Sequence, residues 1–294
     1  MSAWPPARRV ARFALRALSA FVLLALIIAL ALVLDARRTP TAPPEYVALG
    51  SSYAAGAGLG PRQSGSPILC SRSNEGYPPR VARALGLQLV DMTCSGSVTK
   101  HLLTGGQFFQ DKQIRTIGPQ TKLVTVTVGG NDIDFVRDLY LLATRRSDTL
   151  LGGMVRKLWS GPPNVNERNF RKLQRDLTVL VGTIRTRAPS ATIILATYPT
   201  VLPRSGTCEE LGLSGDEATV MRQVESQLAA VTRAAAKGSG ALIVDMNEAG
   251  VEHHACSPSP WTKGKGPVTQ SPFHPTMSGA NATAKAIIAA IDNR

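Results

Sequence analysis

Two adjacent serines stand where an apolar run of the chain ends. Ser51 and Ser52 lie in the stretch ALGSSYAAG, one glycine after the run Tyr46–Leu49. A serine hydroxyl becomes a good nucleophile only when a base takes its proton and hydrogen-bond donors stabilise the oxyanion. An ordinary Ser-Gly turn has the same sequence, so partners elsewhere in the chain decide between a turn and a catalytic serine.

Three further stretches contain residues that could act as such partners. GGNDIDF contains Asn131, whose side-chain N–H can stabilise an oxyanion, and TCSGSVT contains Gly96, whose backbone N–H no side chain obstructs. In SPFHPTMSG, His274 stands between two prolines, as a base held on a rigid loop would. Each residue alone is more typical of a turn or a surface loop. The prediction of a catalytic site therefore depends on whether the fold brings these residues together.

Five short apolar runs alternate with helical patterns and predict the elements that position these residues. The alternation is typical of a parallel sheet with helices on both faces, an α/β fold with three α/β/α layers. The carboxyl ends of parallel strands share one edge, where functional loops collect. The predicted strands are 46–49, 87–92, 123–128, 192–196 and 241–244, and the predicted helices are 78–85, 167–187, 216–236 and 278–291, the last with Ser278 as its N-cap.

The four blocks GSSYAAG, CSG, GGND and FHPT, in this order, resemble those of the SGNH hydrolase family, also called GDSL esterases. The resemblance covers nearly all of residues 45–294, and smaller matches resemble the actinobacterial secreted esterase/lipase branch. It implies a flavodoxin-like fold and hydrolysis of carboxylic esters through an acyl-enzyme, without a cofactor. Ser52 then matches the nucleophile and His274 the general base, while Ser52 N–H, Gly96 N–H and the Asn131 side chain match the oxyanion donors.

The sequence departs from the family pattern at two positions. Ser51 stands where an Asp usually precedes the nucleophile, and Ser271 stands where most members have the Asp that orients the base. Some members of the actinobacterial branch lack the second Asp and orient the His with a main-chain carbonyl. The resemblance therefore implies a Ser52–His274 dyad, with the carbonyl of Ser271 accepting from the imidazole. Asp245, at the end of the fifth predicted strand, is the reserve candidate for an acid that orients His274.

The N-terminal segment predicts a membrane helix. Ala17–Leu34 carries no charge and follows four arginines, which is typical of a membrane-spanning segment. Because no good cleavage site follows it, we favour an uncleaved anchor over a secreted protein whose signal peptide is removed. The arginines then stay in the cytoplasm and the catalytic domain lies outside. The predicted organisation is a basic tail and anchor at 1–38, a Pro-rich spacer at 39–44, and one hydrolase domain at 45–294.

The four cysteines agree with an exported domain. Of the three possible connectivities we favour Cys70 with Cys94 and Cys208 with Cys256, because each pair closes a loop beside a candidate site segment. No CxxC pair is present and the histidines near Cys256 lack a third ligand at useful spacing, so we expect no metal.

The net charge of +13 includes +5 from the first forty residues, which leaves +8 for the domain. This favours an anionic partner such as lipid head groups or wall polymers. Nucleic-acid binding has little support, because no basic run is interleaved with aromatic residues.

The substrate class stays open at this point. Phe108, Phe109 and the mixed segment 137–165, which could be an amphipathic flap or a plain surface helix pair, favour a lipid ester. An acyltransferase or deacetylase acting on wall polysaccharide could use the same residues. The two departures also allow a protein that has kept the fold and serves only as a binding protein at the cell envelope.

Overall fold

The computed structural model describes residues 7–38 and 44–293. Its centre is a sheet of five parallel strands, as the sequence predicts, and their order is β2-β1-β3-β4-β5. The second strand is shorter than predicted, because only its middle residues pair with β1. The strands are β1 (Tyr46–Gly50), β2 (Leu89–Asp91), β3 (Leu123–Thr127), β4 (Thr192–Ala196) and β5 (Leu242–Val244).

Helices cover both faces of this sheet. The helices that follow β1 are α2 (Ser52–Ala55), α3 (Tyr77–Leu85), α4 (Thr99–Thr104), α5 (Phe135–Arg145), α6 (Leu150–Leu158), α7 (Phe170–Arg187), α8 (Gly215–Ser239), α9 (Met246–Ala249) and α10 (Met277–Asp292). The N-terminal helix α1 (Ala7–Ala36) stands apart from the sheet. Alternate residues of a strand point to opposite faces. Val47 and Leu49 of β1 therefore belong to the larger core, with α7 and α8, while Tyr46 and Ala48 belong to the smaller core, with α3 and α10.

The last helix, α10, begins at Met277, one residue earlier than predicted, and its N-cap lies two residues before the predicted one. Its N-cap is Thr276, whose hydroxyl accepts a hydrogen bond from the N–H of Gly279 at 3.1 Å. Ser278 already lies inside the first turn. The prediction of Ser278 is wrong because the extended backbone at Thr276, ψ 172°, places that hydroxyl over the helix end.

The N-terminal helix α1 is long and apolar enough to cross a membrane. Its segment Ala11–Ala36 has a mean hydropathy of 3.1 in its most apolar window, and that window is not buried against the rest of the protein. A signal sequence near an N-terminus can also be long and apolar enough to meet this criterion. The predicted spacer, apart from Pro44, lies outside the described residues.

The structure contains two disulfides, Cys70–Cys94 and Cys208–Cys256, which is the connectivity we favoured. The first joins the loop before α3 to the loop after β2, two residues from Gly96. It therefore anchors one of the candidate site loops.

Candidate active site

Ser52 is the first residue of α2 and follows the end of β1 after a sharp turn. Gly50 permits this turn because its φ is +141° and a Cβ there would lie only 2.3 Å from the carbonyl oxygen of Thr127. The Oγ of Ser52 lies 2.7 Å from Nε2 of His274, a residue of the loop before α10. Two residues 222 positions apart thus form a hydrogen-bonded pair.

The second ring nitrogen of His274 fixes the direction of this hydrogen bond. Nδ1 lies 2.8 Å from the carbonyl oxygen of Pro272. Because a carbonyl only accepts, Nδ1 carries the proton and Nε2 accepts from the Ser52 hydroxyl. This is the arrangement in which an imidazole can take a proton from serine.

The carbonyl that orients His274 belongs to Pro272 and not to Ser271, so the prediction of Ser271 is wrong by one residue. Ser271 and Phe273 both have left-handed backbone, with φ of +51° and +60°. These two turns direct the Pro272 carbonyl between them toward the imidazole. Ser271 instead lines the cavity beside the pair.

The prediction of Asp245 as the reserve acid is also wrong. Its carboxylate accepts from the hydroxyl of Thr197 at 3.0 Å and forms an ion pair with Arg233 at 2.8 Å. It also caps α9 through the N–H of Glu248 at 3.3 Å. These contacts fix the Asp245 side chain between the end of β5 and the start of α9. His274 is not among its partners.

Burial keeps the imidazole neutral. Removal from water lowers the pKa of His274 to about 4, the hydrogen bond to Pro272 opposes this shift, and the positive charge of Lys263 adds to it. The ordinary pKa of histidine is about 6.5. His274 is therefore unprotonated at neutral pH without a carboxylate partner.

Three residues that could supply N–H donors share one cavity with His274: Ser52, Gly96 and Asn131 line it together, and its volume is about 350 Å³. Gly96 has φ of +79°, and its N–H has no acceptor within the described parts of the chain. The N–H of Ser52 stands at a helix start, where no intrahelical acceptor exists. Asn131 uses one Nδ2 hydrogen on the carbonyl of Ser97 at 2.9 Å, which leaves the other for an oxyanion.

Gln113, which the sequence did not single out, connects the loops that carry the serine and Gly96. Its amide is hydrogen-bonded to both backbone groups of Gly50, at 2.9 and 3.1 Å, and to the Ser97 hydroxyl at 2.9 Å. It lies 63 residues from Gly50 in the chain, so no local pattern could have revealed this contact.

Tyr198 supports the loop at Ser51, the first departure from the family pattern. Its hydroxyl accepts from the N–H of Gly130 at 3.2 Å and lies 2.9 Å from Oγ of Ser51. Both hydroxyls are buried. Tyr198 follows β4 at the same sheet edge as Ser51, and that position is the one signal by which it could have been found.

A family model of the GDSL-like lipase/acylhydrolases matches residues 48–282 of the chain. The chain belongs to this family. Lipase 2 of Streptomyces coelicolor is 31% identical to it in an alignment 257 residues long, which covers 83% of this chain and 84% of that protein.

Two solved structures superpose on the fold. An extracellular lipase from Streptomyces rimosus and a phospholipase A1 from Streptomyces albidoflavus NA297 each reach a TM-score of 0.65 at 27% identity. Each comparison covers 84% of this chain, with 98% of the lipase and 99% of the phospholipase. Family and fold agree with the sequence-based prediction of an ester hydrolase.

A second cavity of this acylhydrolase adjoins the first. It has a volume of about 640 Å³, and Tyr140 and Val268 line both cavities. Leu151 and Phe273 make much of the remaining wall apolar. The segment 137–165 contains most of α5 and all of α6, and the connection between these two helices borders the second cavity.

The other histidines have structural contacts. The ring of His253 stacks on Trp261 at 4.2 Å, His254 accepts from the N–H of Cys256, and His101 accepts from the N–H of Val98. The described ranges 7–38 and 44–293 contain no group of three or more His, Cys, Asp or Glu side chains that could hold a metal ion.

Proposed function

We propose that the protein is a membrane-anchored, extracytoplasmic esterase or lipase that forms an acyl-enzyme on Ser52, with His274 as its general base. The observation that carries this proposal is the 2.7 Å contact between Ser52 Oγ and His274 Nε2 inside the cavity that Gly96 and Asn131 also line. Membership of the acylhydrolase family supports the reaction class.

The contacts suggest the following reaction. Ser52 Oγ attacks the ester carbonyl carbon while its proton passes to Nε2 of His274, and the oxyanion is stabilised by Ser52 N–H, Gly96 N–H and the Asn131 amide. Collapse of this intermediate expels the alcohol, which takes the proton from His274. Water then attacks the acyl-enzyme, His274 accepts its proton, and Ser52 leaves with that proton as the free acid forms.

A lipid ester is the substrate class that the cavities favour. The largely apolar second cavity adjoins the cavity at Ser52 along Tyr140 and Val268, so it is placed to accept the acyl chain of an ester bound at Ser52. An acetyl group would leave that cavity empty. The names of the relatives, lipase and phospholipase A1, agree with this choice.

The location outside the cytoplasm rests on the N-terminal helix and the disulfides. The arginines before the apolar segment favour a cytoplasmic N-terminus, so the catalytic domain is on the other side of the membrane. Two disulfides are typical of that compartment. Mass spectrometry of the protein from washed membranes should find residues 1–34 attached; a chain that begins near residue 36 would contradict the anchor.

The reaction can be tested without knowing the substrate. We expect a fluorophosphonate to label the full chain in detergent on Ser52, because the activated hydroxyl attacks phosphorus as it attacks an ester carbon. Peptide mass spectrometry locates the adduct. Ser51→Ala, which removes the neighbouring hydroxyl, should keep the label, whereas Ser52→Ala should lose it. A folded, unlabelled protein would indicate a binding function.

The low pKa of His274 predicts activity at unusually acidic pH. The base works only when neutral, so kcat/KM for an uncharged ester should stay level from pH 7 to about pH 5 and fall about tenfold per pH unit below pH 4. An ordinary histidine would give this fall near pH 6.5. A pH–rate profile with circular dichroism at each pH separates loss of the base from acid unfolding.

Lys263 provides the matched test of this pH dependence. Its positive charge lowers the pKa of His274, so Lys263→Met should move the acid limb to higher pH. Lys265→Met removes a lysine that lies near Glu209 instead and should leave the limb in place. If the activity of the wild type fell already near pH 6.5, the result would contradict a pKa of His274 lowered by burial.

A further inference from the structure

Four large apolar side chains are exposed on two short turns that flank the catalytic cavity. In the turn Ile68–Cys70, Ile68 is 57% and Leu69 41% exposed; in the turn Gln107–Phe109, Phe108 is 42% and Phe109 63% exposed. We name these four residues the anchor-side rim. Clustered apolar exposure around a site is typical of an interaction surface.

The backbone holds the two phenyl rings of the rim outward in a strained conformation. Phe108 and Phe109 have φ of +47° and +63°, which bulky residues rarely adopt. Gln107 and Gln110 fix both ends of the turn, Gln107 through the carbonyl of Ser95 at 2.6 Å and Gln110 through the sulfur of Cys70 at 2.8 Å. Strain of this kind persists where a fixed structure has a function.

The rim lies directly against the end of the N-terminal helix. The carboxylate of Asp35 accepts from the N–H of Ile68 at 2.8 Å, and the carbonyl of Arg38 accepts from Arg115 at 2.9 Å. Helix α1 contacts both turns of the rim. If α1 spans a bilayer, the rim therefore lies at the surface of that bilayer.

The same turns border the catalytic cavity. Ser71, which follows the first turn, lines that cavity together with Gly96. Gln107 of the second turn accepts from the hydroxyl of Ser97 and lies beside Gly96. A surface that covers the rim is thus adjacent to the opening above Ser52.

We propose that the anchor-side rim inserts into the same bilayer that α1 spans, so that the catalytic cavity opens at the lipid surface and takes its ester from that membrane. This inference rests on the proposed membrane anchor and ester hydrolysis. The exposed Arg37 and Arg38 follow the apolar segment of α1 at the level of the head groups, where their positive charge favours anionic lipids. Aromatic side chains are typical of that interface.

The first test measures insertion and needs no catalysis. All four native cysteines are in disulfides, so Phe109→Cys provides one thiol for an NBD fluorophore. In nanodiscs of phosphatidylcholine and phosphatidylglycerol, we expect a blue-shifted emission that doxyl-labelled lipid quenches. Val179→Cys, on the exposed side of α7 and 57% exposed in the native chain, should show neither effect.

An exposed surface on α6 is the alternative candidate for membrane insertion, so the same measurement there distinguishes the two surfaces. Leu150 of α6 is 93% exposed and lies away from the contacts of α1 with the rim. Quenching of a probe at Leu150→Cys but not at Phe109→Cys would overturn the proposal and assign the membrane surface to α6. No quenching at either position would overturn it as well.

The second test measures how the rim affects substrate supply. Asn tolerates left-handed backbone, so Phe108→Asn with Phe109→Asn removes the rings without adding strain. We expect hydrolysis of 4-methylumbelliferyl oleate embedded in the nanodisc to fall about tenfold or more, because the apolar insertion is lost. Hydrolysis of soluble 4-nitrophenyl butyrate should stay within about twofold.

Comparing the membrane-embedded ester with the soluble ester tests membrane insertion of the rim separately from ester hydrolysis itself. Equal rates for wild type and variant on both esters would overturn the role of the rim and leave the hydrolase intact. Equal losses on both esters would overturn it too, since the turn would then act on the site itself. A wild type that hydrolyses neither ester would contradict the proposed function, whereas the quenching result would still decide insertion.

Discussion

The substitution His274→Ala is expected to lower kcat on the order of 10⁴-fold, whereas Asp245→Asn leaves kcat within about twofold. His274 is the one side chain hydrogen-bonded to the Ser52 hydroxyl among the described residues, at 2.7 Å. Without it the hydroxyl keeps its proton and is a poor nucleophile. Asp245 instead contacts Thr197, Arg233 and the start of α9, so its charge does not support the imidazole.

The experiment compares steady-state kcat for a soluble ester in the two variants. Asn at 245 keeps a side-chain oxygen that can cap α9, so folding should be preserved and circular dichroism can verify this. Added imidazole should restore part of the activity of His274→Ala, because it can occupy the space of the lost ring. A folded Asp245→Asn variant with a loss similar to that of His274→Ala would replace the dyad with a triad.

The fold was predictable because its signal is local and repeated. The central strands β1 and β3 are apolar runs buried on both faces, such as Tyr46–Leu49, and four of the five predicted runs are followed by a helical pattern. This pattern leaves few alternatives to a doubly covered parallel sheet. The errors occur at element ends, as at Thr276, where one hydroxyl and one ψ angle decide the boundary.

The candidate site was predictable in its residue types but not in its supporting contacts. Ser52, Gly96, Asn131 and His274 stand in recognisable blocks, and the structure brings them to one cavity. Which carbonyl meets the imidazole depends on the backbone angles of Ser271 and Phe273, and a sequence does not display those angles.

The buried support of the loops comes from distant parts of the chain. Gln113 and Tyr198 lie 63 and 147 residues from the loop residues they bind, Gly50 and Ser51. Buried polar groups need partners, but one sequence does not say which partner each group has. Such contacts became visible only with the fold.

Substitution of Asn131 is expected to cause the second large loss of kcat. Asn131→Ala should lower kcat about 10²- to 10³-fold with a much smaller change in KM, because in the proposed reaction its second N–H binds the oxyanion and not the ground-state ester. Asn131→Asp should lose more, since it replaces the donor by a negative charge beside the developing oxyanion. The measurement is kcat and KM for one soluble ester in each variant.

A structural role of Asn131 predicts a different result. Its other Nδ2 hydrogen binds the Ser97 carbonyl at 2.9 Å, so loss of that contact could loosen the loop after β2. The neighbouring Asp132 binds the same region through Thr99 N–H at 3.0 Å, and Asp132→Asn keeps an oxygen acceptor for it. Asp132→Asn should therefore stay within about threefold of wild type. If Asn131→Ala raised KM and lowered thermal stability while kcat changed little, Asn131 would support the loop and the oxyanion would depend on the two backbone N–H groups.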